Sequence, residues 1–546
     1  MPSRQTIYIA AAEWRWVILV ACALVLLTFV PLLWVALMGT PNWQFMGVLH
    51  NYQDGATYLS KMALGENGSW LVTFQHTPEP HAGAFIQVLY VLLGQLARVM
   101  GMPSLVLFHV ARVGAALLMY AALYQLAASI WTRVRTRRIF FVLVAVGSGL
   151  GWLFAPLTQI ATFPDFPLLP EAFPLYSTFM NVHFPLTLAC LALLAGMFIV
   201  AFRPGADTDP ALDHAWPIAG FLSVALAFLY PQALVPIGGA LGLYMLIRWW
   251  QMRRIDLRGL RWLLAVILPA VPIAVYYMSV VSYNPAFAEW NAQNITPTPS
   301  PIIMAIGFGI PLILALPGIY RAARRFERDG NRIMLLWLLA IIVMIYLPTN
   351  IQRRFAVGMM IPIAYFATRA MEDVWIARIS RRWRGFVFVL FIPLLALSQL
   401  FMLFLPALPA VFGNPQLAQG VFLERDYRIV YEWFSRSPEP EELVVLASPN
   451  ASVWLPGWSD GARVVYGHPF ETLDAEAKKL SVLDWYLAAD GFDCRALLER
   501  WEVDYILYGP QERQLGETVD PAAQTDVCVS ELNRVVNLGS VTVYAP

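Results

Sequence analysis

The sequence predicts a mainly α, polytopic membrane protein, and three observations carry that prediction. Of the 546 residues, 59% are hydrophobic and only 13% charged, with a mean hydropathy of +0.59; soluble domains average roughly 45–50% and about 25%. Apolar runs recur near the ~20 residues that cross a bilayer. The basic residues gather in short clusters between those runs. With the charges in short clusters between apolar runs rather than on one face, the net charge of +1 says nothing of nucleic acid, and no such partner is expected.

The first apolar run, at about 17–38, follows Arg4 and Arg15. It is too long for the core of a signal peptide and no A-x-A site follows it, so it reads as an uncleaved first span. Four arginine clusters then order the rest: RVRTRR at 133–138, the stretch 248–261, RAARRFERDGNR at 321–332 and ARISRRWR at 377–384. The positive-inside rule puts all four in the cytoplasm. Further spans fall at about 104–131, 139–156, 183–202, 218–231, 234–250, 262–281, 301–320, 333–348, 355–371 and 386–405. The apolar segment 84–100 cannot be one of them, because its crossing would invert every later cluster. With Gln87, Gln95 and Arg98 it reads as a helix lying in the outer interface. The expectation is about 11 transmembrane helices in the plasma membrane, with the N-terminus cytoplasmic and a long first outer loop over 39–103.

After Pro406 the charge mix becomes ordinary. Residues 1–405 read as the membrane domain, 406–419 as a linker and 420–546 as a small extracytoplasmic α/β domain. In that domain RDYRIVYEWFSRS, LDAEAKKLSVLDWYLAAD and CRALLERW have helical patterns, while ELVVLAS, RVVYG, VDYILYG and SVTVYA read as strands. Cys22 and Cys190 lie in apolar spans as small core residues. Cys494 and Cys528 could pair in an oxidising compartment. No cysteine spacing suits a metal.

Chemistry is expected where charge survives. Residues 50–83 hold Asp54, Lys61, Glu66, His76, Glu79 and His81 in an otherwise apolar chain. Asp54 precedes GATYLSKMALG, a short amphipathic pattern, and so reads as an N-cap. A carboxylate fixed at a helix start is also well placed to take a proton from an acceptor hydroxyl. Glu79 and His81 sit in TPEPHAG, where two prolines stiffen the backbone and either aim these side chains or only shape the entry to the interfacial helix. The outer loops are almost free of Lys and Arg, which singles out Arg353 and Arg354. That pair is either a headgroup anchor or a bidentate phosphate clamp. Asp165, Glu171, Asn181 and His183 in one outer loop, and Glu289, Trp290 and Asn291 in another, stand among aromatics that suit a sugar or a membrane interface. No HExxH or paired His/Cys spacing calls for a transition metal; an oxygen-ligated Mg²⁺ or Mn²⁺ held partly by substrate phosphate fits the composition. Three Asn-x-Ser/Thr sequons, at Asn67, Asn294 and Asn450, fall outside in this topology. No P-loop, GxGxxG, GxSxG or CxxC context is present.

In the order of its parts the chain resembles the GT-C superfamily of membrane glycosyltransferases, including protein O-mannosyltransferases, aminoarabinose transferases and Rgt-type bacterial enzymes. Asp54 in YQDGATYL matches the acid of the first outer loop, and Glu79-Pro80-His81 resembles the second acidic motif but lacks its second proline. Arg112, with His109 just before it, resembles the arginine-bearing start of the second span, and Arg353 and Arg354 before GMMIPIAYF resemble a late-loop motif. The resemblance implies inverting transfer of a hexosyl or pentosyl group from a polyprenyl-phosphate donor to a lipid, glycan or protein acceptor at the outer leaflet. Asp54 would be the base, with Glu79 as a second acid. Lys61, His81, Arg112, Asn181, His183, Glu289, Arg353 and Arg354 would bind substrate. Two other classes remain: a lipid or solute transporter or flippase, and a non-catalytic envelope assembly protein. The acids lie in outer loops rather than mid-span, which weighs against transport.

Overall fold

The computed structural model describes residues 9–166, 168–203, 214–326, 330–413, 418, 420–488, 492–519 and 527–546. Arg4, most of the 203–216 loop, part of the 321–332 cluster and part of the 406–419 linker lie outside them. Among the described residues, eight helical stretches are long and apolar enough to cross a membrane: α1 (Ala11–Ala36), Ser104–Ile130, Val134–Thr158, His183–Ala201, Pro231–Met252, Leu257–Tyr283, Pro301–Arg325 and Arg384–Phe412. The chain is a multi-pass membrane protein.

A helix stands at each of the eleven expected positions, but three are short. Trp216–Leu229 and Asn331–Met344 have 14 residues and Met360–Ala370 has 11. At 1.5 Å per residue these reach about 16–21 Å, against a hydrocarbon core of about 30 Å. The segment expected in the interface forms a helix over Val88–Met100, 13 residues long, or about 20 Å.

The chain divides into two compact units. The first comprises residues 1–29, 111–276 and 295–405. Its core is aromatic, with Phe140, Phe198, Trp262, Trp337 and Tyr365 buried. Some of its buried charge is paired: Arg137 meets Glu13 at 3.0 Å, where the Tyr124 hydroxyl donates to the same carboxylate, and Arg248 meets Asp256 at 3.0 Å. The helix Pro301–Arg325 breaks at Gly309 (φ 31°), where Gly149 passes so close that a β-carbon would lie 2.9 Å from its Cα. Only glycine tolerates both the dihedral and the approach.

The second unit comprises residues 30–110, 277–294 and 406–546, so the first outer loop and the C-terminal segment are one body. Strand β1 (Trp43–Phe45) pairs antiparallel with β2 (Phe422–Glu424). Helices α2 (Tyr52–Glu66) and α3 (Val88–Met100) touch backbone to backbone through Gly65 and Gly94; a β-carbon on Gly94 would lie 2.0 Å from the Met62 carbonyl oxygen. The C-terminal sheet has the order β4-β3-β5-β7-β6, from β3 (Val444–Leu446), β4 (Arg463–Val464), β5 (Tyr505–Tyr508), β6 (Asn533–Leu538) and β7 (Val541–Ala545). β3 runs parallel to β4 and β5, and the others are antiparallel. Cys494 and Cys528 form a disulfide, with Cα atoms 5.3 Å apart.

Candidate active site

Asp54 is not the cap of its helix. Asn51, in the left-handed region (φ 48°), takes that position without a side-chain bond to the backbone, and Asp54 stands in the first turn of α2. There the helix dipole favours its charge. Asn51 Nδ2 donates to Asp54 Oδ2 at 2.5 Å, and His468 Nε2 donates to Oδ1 at 3.2 Å. Burial works to raise the pKa of Asp54. Hydrogen bonds from His468 and Asn51, with the Lys61 ammonium nearby, outweigh it and hold the carboxyl below its ordinary range. The side chain keeps 36% exposure, so one face stays open.

His468 is nearly fully buried. Its Nδ1 accepts the backbone N–H groups of Phe470 and Glu471, both at 3.2 Å. Only a deprotonated Nδ1 can do this, so the proton of the neutral ring sits on Nε2, toward Asp54. The loop is closed by Thr472, whose hydroxyl accepts from the Gly467 and His468 amides and donates to the His76 carbonyl.

Lys61, seven residues beyond Asp54 and so on the same face of α2, is fully buried and ion-paired with Glu471. Its ammonium is thereby committed inside the protein instead of open to a phosphate. Burial works to raise the Glu471 pKa, but the charge and hydrogen bond of Lys61 hold it below its ordinary range. His76, also fully buried, donates Nε2–H to the Val453 carbonyl at 3.0 Å and faces Glu471 across 4.0 Å. Burial drives its pKa down to about 4.

Glu79 pairs with Lys478 at 2.5 Å and accepts from the Thr77 hydroxyl. Burial would raise its pKa, and these bonds more than offset that. His81 spends both ring nitrogens on its own loop, accepting from the Phe74 amide at 2.9 Å and donating to the Glu79 carbonyl at 2.9 Å. Its ring rests near Phe74 and Phe287, and burial lowers its pKa. Glu289 accepts the Asp474 amide at 2.5 Å beside a pocket of about 380 Å³ that Gln293, Tyr466 and Lys479 also line.

The remaining candidates belong to the first unit. Arg353 and Arg354 are half-buried on the turn Gln352–Ala356, anchored by the Arg353 amide on the Thr296 carbonyl at 3.1 Å. Their charges act on Glu171, a buried carboxylate that also accepts from the Tyr230 hydroxyl at 3.0 Å. Burial prevails there and raises the Glu171 pKa. His183 stacks near Tyr230, with ring centroids 6.2 Å apart. Arg112 donates to the Thr178 carbonyl at 3.3 Å, lies over the Phe29 ring, and has Nε and Nη2 unpaired among the described residues. Asn181 is fully buried with neither side-chain polar atom partnered among the described residues. Orphaned donors of this kind fit a ligand that brings acceptors.

Sequence reasoning missed His468 and Glu471, far from the polar loop in the chain, and gave Glu171 no role despite its place in a loop without Lys or Arg. Among the described residues no group of three or more His, Cys, Asp or Glu side chains could hold a metal ion. No step of the proposed reaction uses a metal ion.

No protein-family model matches the chain, and no curated protein matches it either. Solved structures match in fold. The oligosaccharyltransferase AglB of Archaeoglobus fulgidus, solved with an inhibitory peptide and a dolichol-phosphate, is 12% identical over 98% of this chain and 75% of its own, with TM-score 0.52. ArnT of Cupriavidus metallidurans bound to undecaprenyl phosphate is 13% identical over 98% of both chains, with TM-score 0.50. The mycobacterial arabinofuranosyltransferase AftD is 13% identical over 99% of this chain but only 40% of its own, with TM-score 0.55. All three are GT-C membrane glycosyltransferases, and the fold of this chain is theirs.

Proposed function

We propose that this chain is a membrane glycosyltransferase that moves a sugar from a polyprenyl-phosphate carrier to an acceptor hydroxyl at the outer face, with inversion. One observation carries the reading: on a GT-C fold, the first-loop carboxylate, Asp54, is held ionised by two side-chain donors with one face open. In the proposed step the acceptor oxygen attacks the anomeric carbon as its proton passes to Asp54. The bond from that carbon to the phosphate oxygen breaks, and polyprenyl phosphate leaves. Arg353 and Arg354, half-buried with their charges acting on Glu171 in the first unit, are proposed to bind a phosphate of the lipid-linked donor, and losing a cation that stabilises a leaving phosphate typically costs on the order of 10²–10³ in rate. Arg112, Asn181 and His183 hold further parts of the substrate. Glu79, paired with Lys478, is the second acid of the site, and Glu289, beside its pocket, binds substrate.

The proposed topology keeps the N-terminus in the cytoplasm, eleven spans over 1–405 and the 420–546 domain outside. The disulfide of that domain supports the last point, since disulfides persist in oxidising compartments. The test uses purified protein with polyprenyl-phosphate sugars, scoring release of free carrier phosphate. Asp54→Asn should abolish release while the protein still inserts. Near-normal turnover in that variant removes Asp54 from the mechanism. No release by the wild type with any donor, alongside tight partner binding, would favour an assembly role.

A further inference from the structure

We infer that His468, in the C-terminal segment, is a positioning residue for the Asp54 base, so that the segment 466–472 is part of the reaction centre. The inference rests on Asp54 being the base. Its own support is geometric.

A carboxylate on a free rotamer would swing about its last two torsions, and a base must be held to a narrow range of direction to work. Here each oxygen has one fixed donor, Asn51 on Oδ2 and His468 on Oδ1. The two differ in rigidity. Asn51 is an exposed side chain at the helix entry. His468 is buried, and its ring is locked from behind by two backbone N–H groups that the Thr472 turn holds in place. The ring therefore cannot rotate or change tautomer without losing both bonds. Beneath the turn, Glu471 follows Phe470 into the ion pair with Lys61, which rises from the same helix as Asp54. The 466–472 turn thus grips α2 at two points, one neutral and one charged. The groups facing Asp54 are Lys61 from α2 and His468 from the turn, with Glu471 and His76 behind them. The charge of Lys61 is answered by Glu471, so Asp54 is held directly by the Asn51 amide and the His468 Nε2–H bond, of which only the second comes from a buried, locked ring.

The test compares His468→Leu, which removes the donor, with His468→Gln, whose amide nitrogen reaches about as far as Nε2. Purified full-length proteins are assayed for release of polyprenyl phosphate across pH, with Asp54→Asn alongside and guanidinium unfolding as a check on integrity. Losing a hydrogen bond to the ionised form makes a carboxyl less acidic. In His468→Leu the acidic limb of kcat/KM should move to higher pH, and kcat should fall by about 10- to 100-fold with little change in KM for the lipid donor. His468→Gln should recover part of the rate and return the limb toward its wild-type position. A His468→Leu protein with wild-type rate and limb overturns the inference, and the base reading stands if Asp54→Asn is still inactive. Equal losses in both variants with an unmoved limb mean a merely structural histidine and also overturn it. Turnover by Asp54→Asn removes the base, and the inference falls with it. Should His468→Leu not be recovered folded, His468→Asn, whose amide stops short of Asp54, takes its place with the same expectations.

Discussion

Replacing Lys61 by Met tests whether the buried pair beneath Asp54 holds the second unit together. The side chains of Lys61 and Glu471 are 0% and 6% exposed. The substitution keeps the volume of the stem and removes only the ammonium, leaving a carboxylate with no full counter-charge in the interior. Removing one partner of a buried pair costs about 3–5 kcal/mol, whereas replacing both by apolar groups is often neutral. Lys61→Met should therefore lose about 3–5 kcal/mol at pH 7, and Lys61→Met with Glu471→Leu should regain most of it. His76 adds a sign that can be checked. In the wild type its pKa is depressed to about 4 by burial, from 6.5. The unfolded chain then binds the proton first, so this group costs no stability above pH 6.5 and progressively more as pH falls toward 4. In Lys61→Met the repelling ammonium is gone and Glu471 still faces Nδ1 at 4.0 Å, so His76 takes a proton more readily and supplies the missing charge. The gap between variant and wild type should narrow from pH 7 to pH 5. Guanidinium titration in detergent at both pH values measures this as a double-mutant cycle. A deficit under about 1 kcal/mol, the range of exposed pairs, or a double variant no more stable than the single one, would refute the reasoning.

Two further outcomes follow from the same unit. Gly94→Ala puts a methyl into the Met62 backbone, which cannot rotate away; α2 and α3 should separate at a cost of about 1–3 kcal/mol, read by the same titration. Replacing Cys494 and Cys528 by Ser opens a loop of 34 residues, worth about 4 kcal/mol on chain entropy. Limited proteolysis should then cut within 420–546 at denaturant concentrations the wild type resists.

Where the sequence was a good guide, the reason is periodicity and charge. Arginine clusters and apolar runs located α1 and the helices near 104–130, 183–201 and 301–325 within a few residues, because bilayer length imposes a strong local signal. The helix Met360–Ala370 was read as a span from 355–371, yet residues 352–356 form a tight turn that carries the arginine pair; hydropathy does not see such turns. β6 was missed because NRVVNL has a weak alternating pattern and gains its place by pairing with β7. For the candidate site, local polarity alone singled out Asp54 as a candidate, and the structure places it in the first turn of α2. Its donor His468 was not, since nothing near position 468 marks that histidine until the fold brings it to α2. Lys61 was read as a substrate ligand because its partner is equally distant.

That distance has a consequence in time. Lys61 and Glu471 are separated by 410 residues, and at about 5–20 residues per second roughly 20–80 s pass between making one and making the other. Throughout that interval Asp54 has Asn51 beside it but not His468. A chain still being synthesised therefore carries the acid without the turn that aims it. On the proposed reading, the transferase becomes competent only once the segment 466–472 has been made, and a product stopped before it would occupy the membrane without consuming lipid-linked sugar.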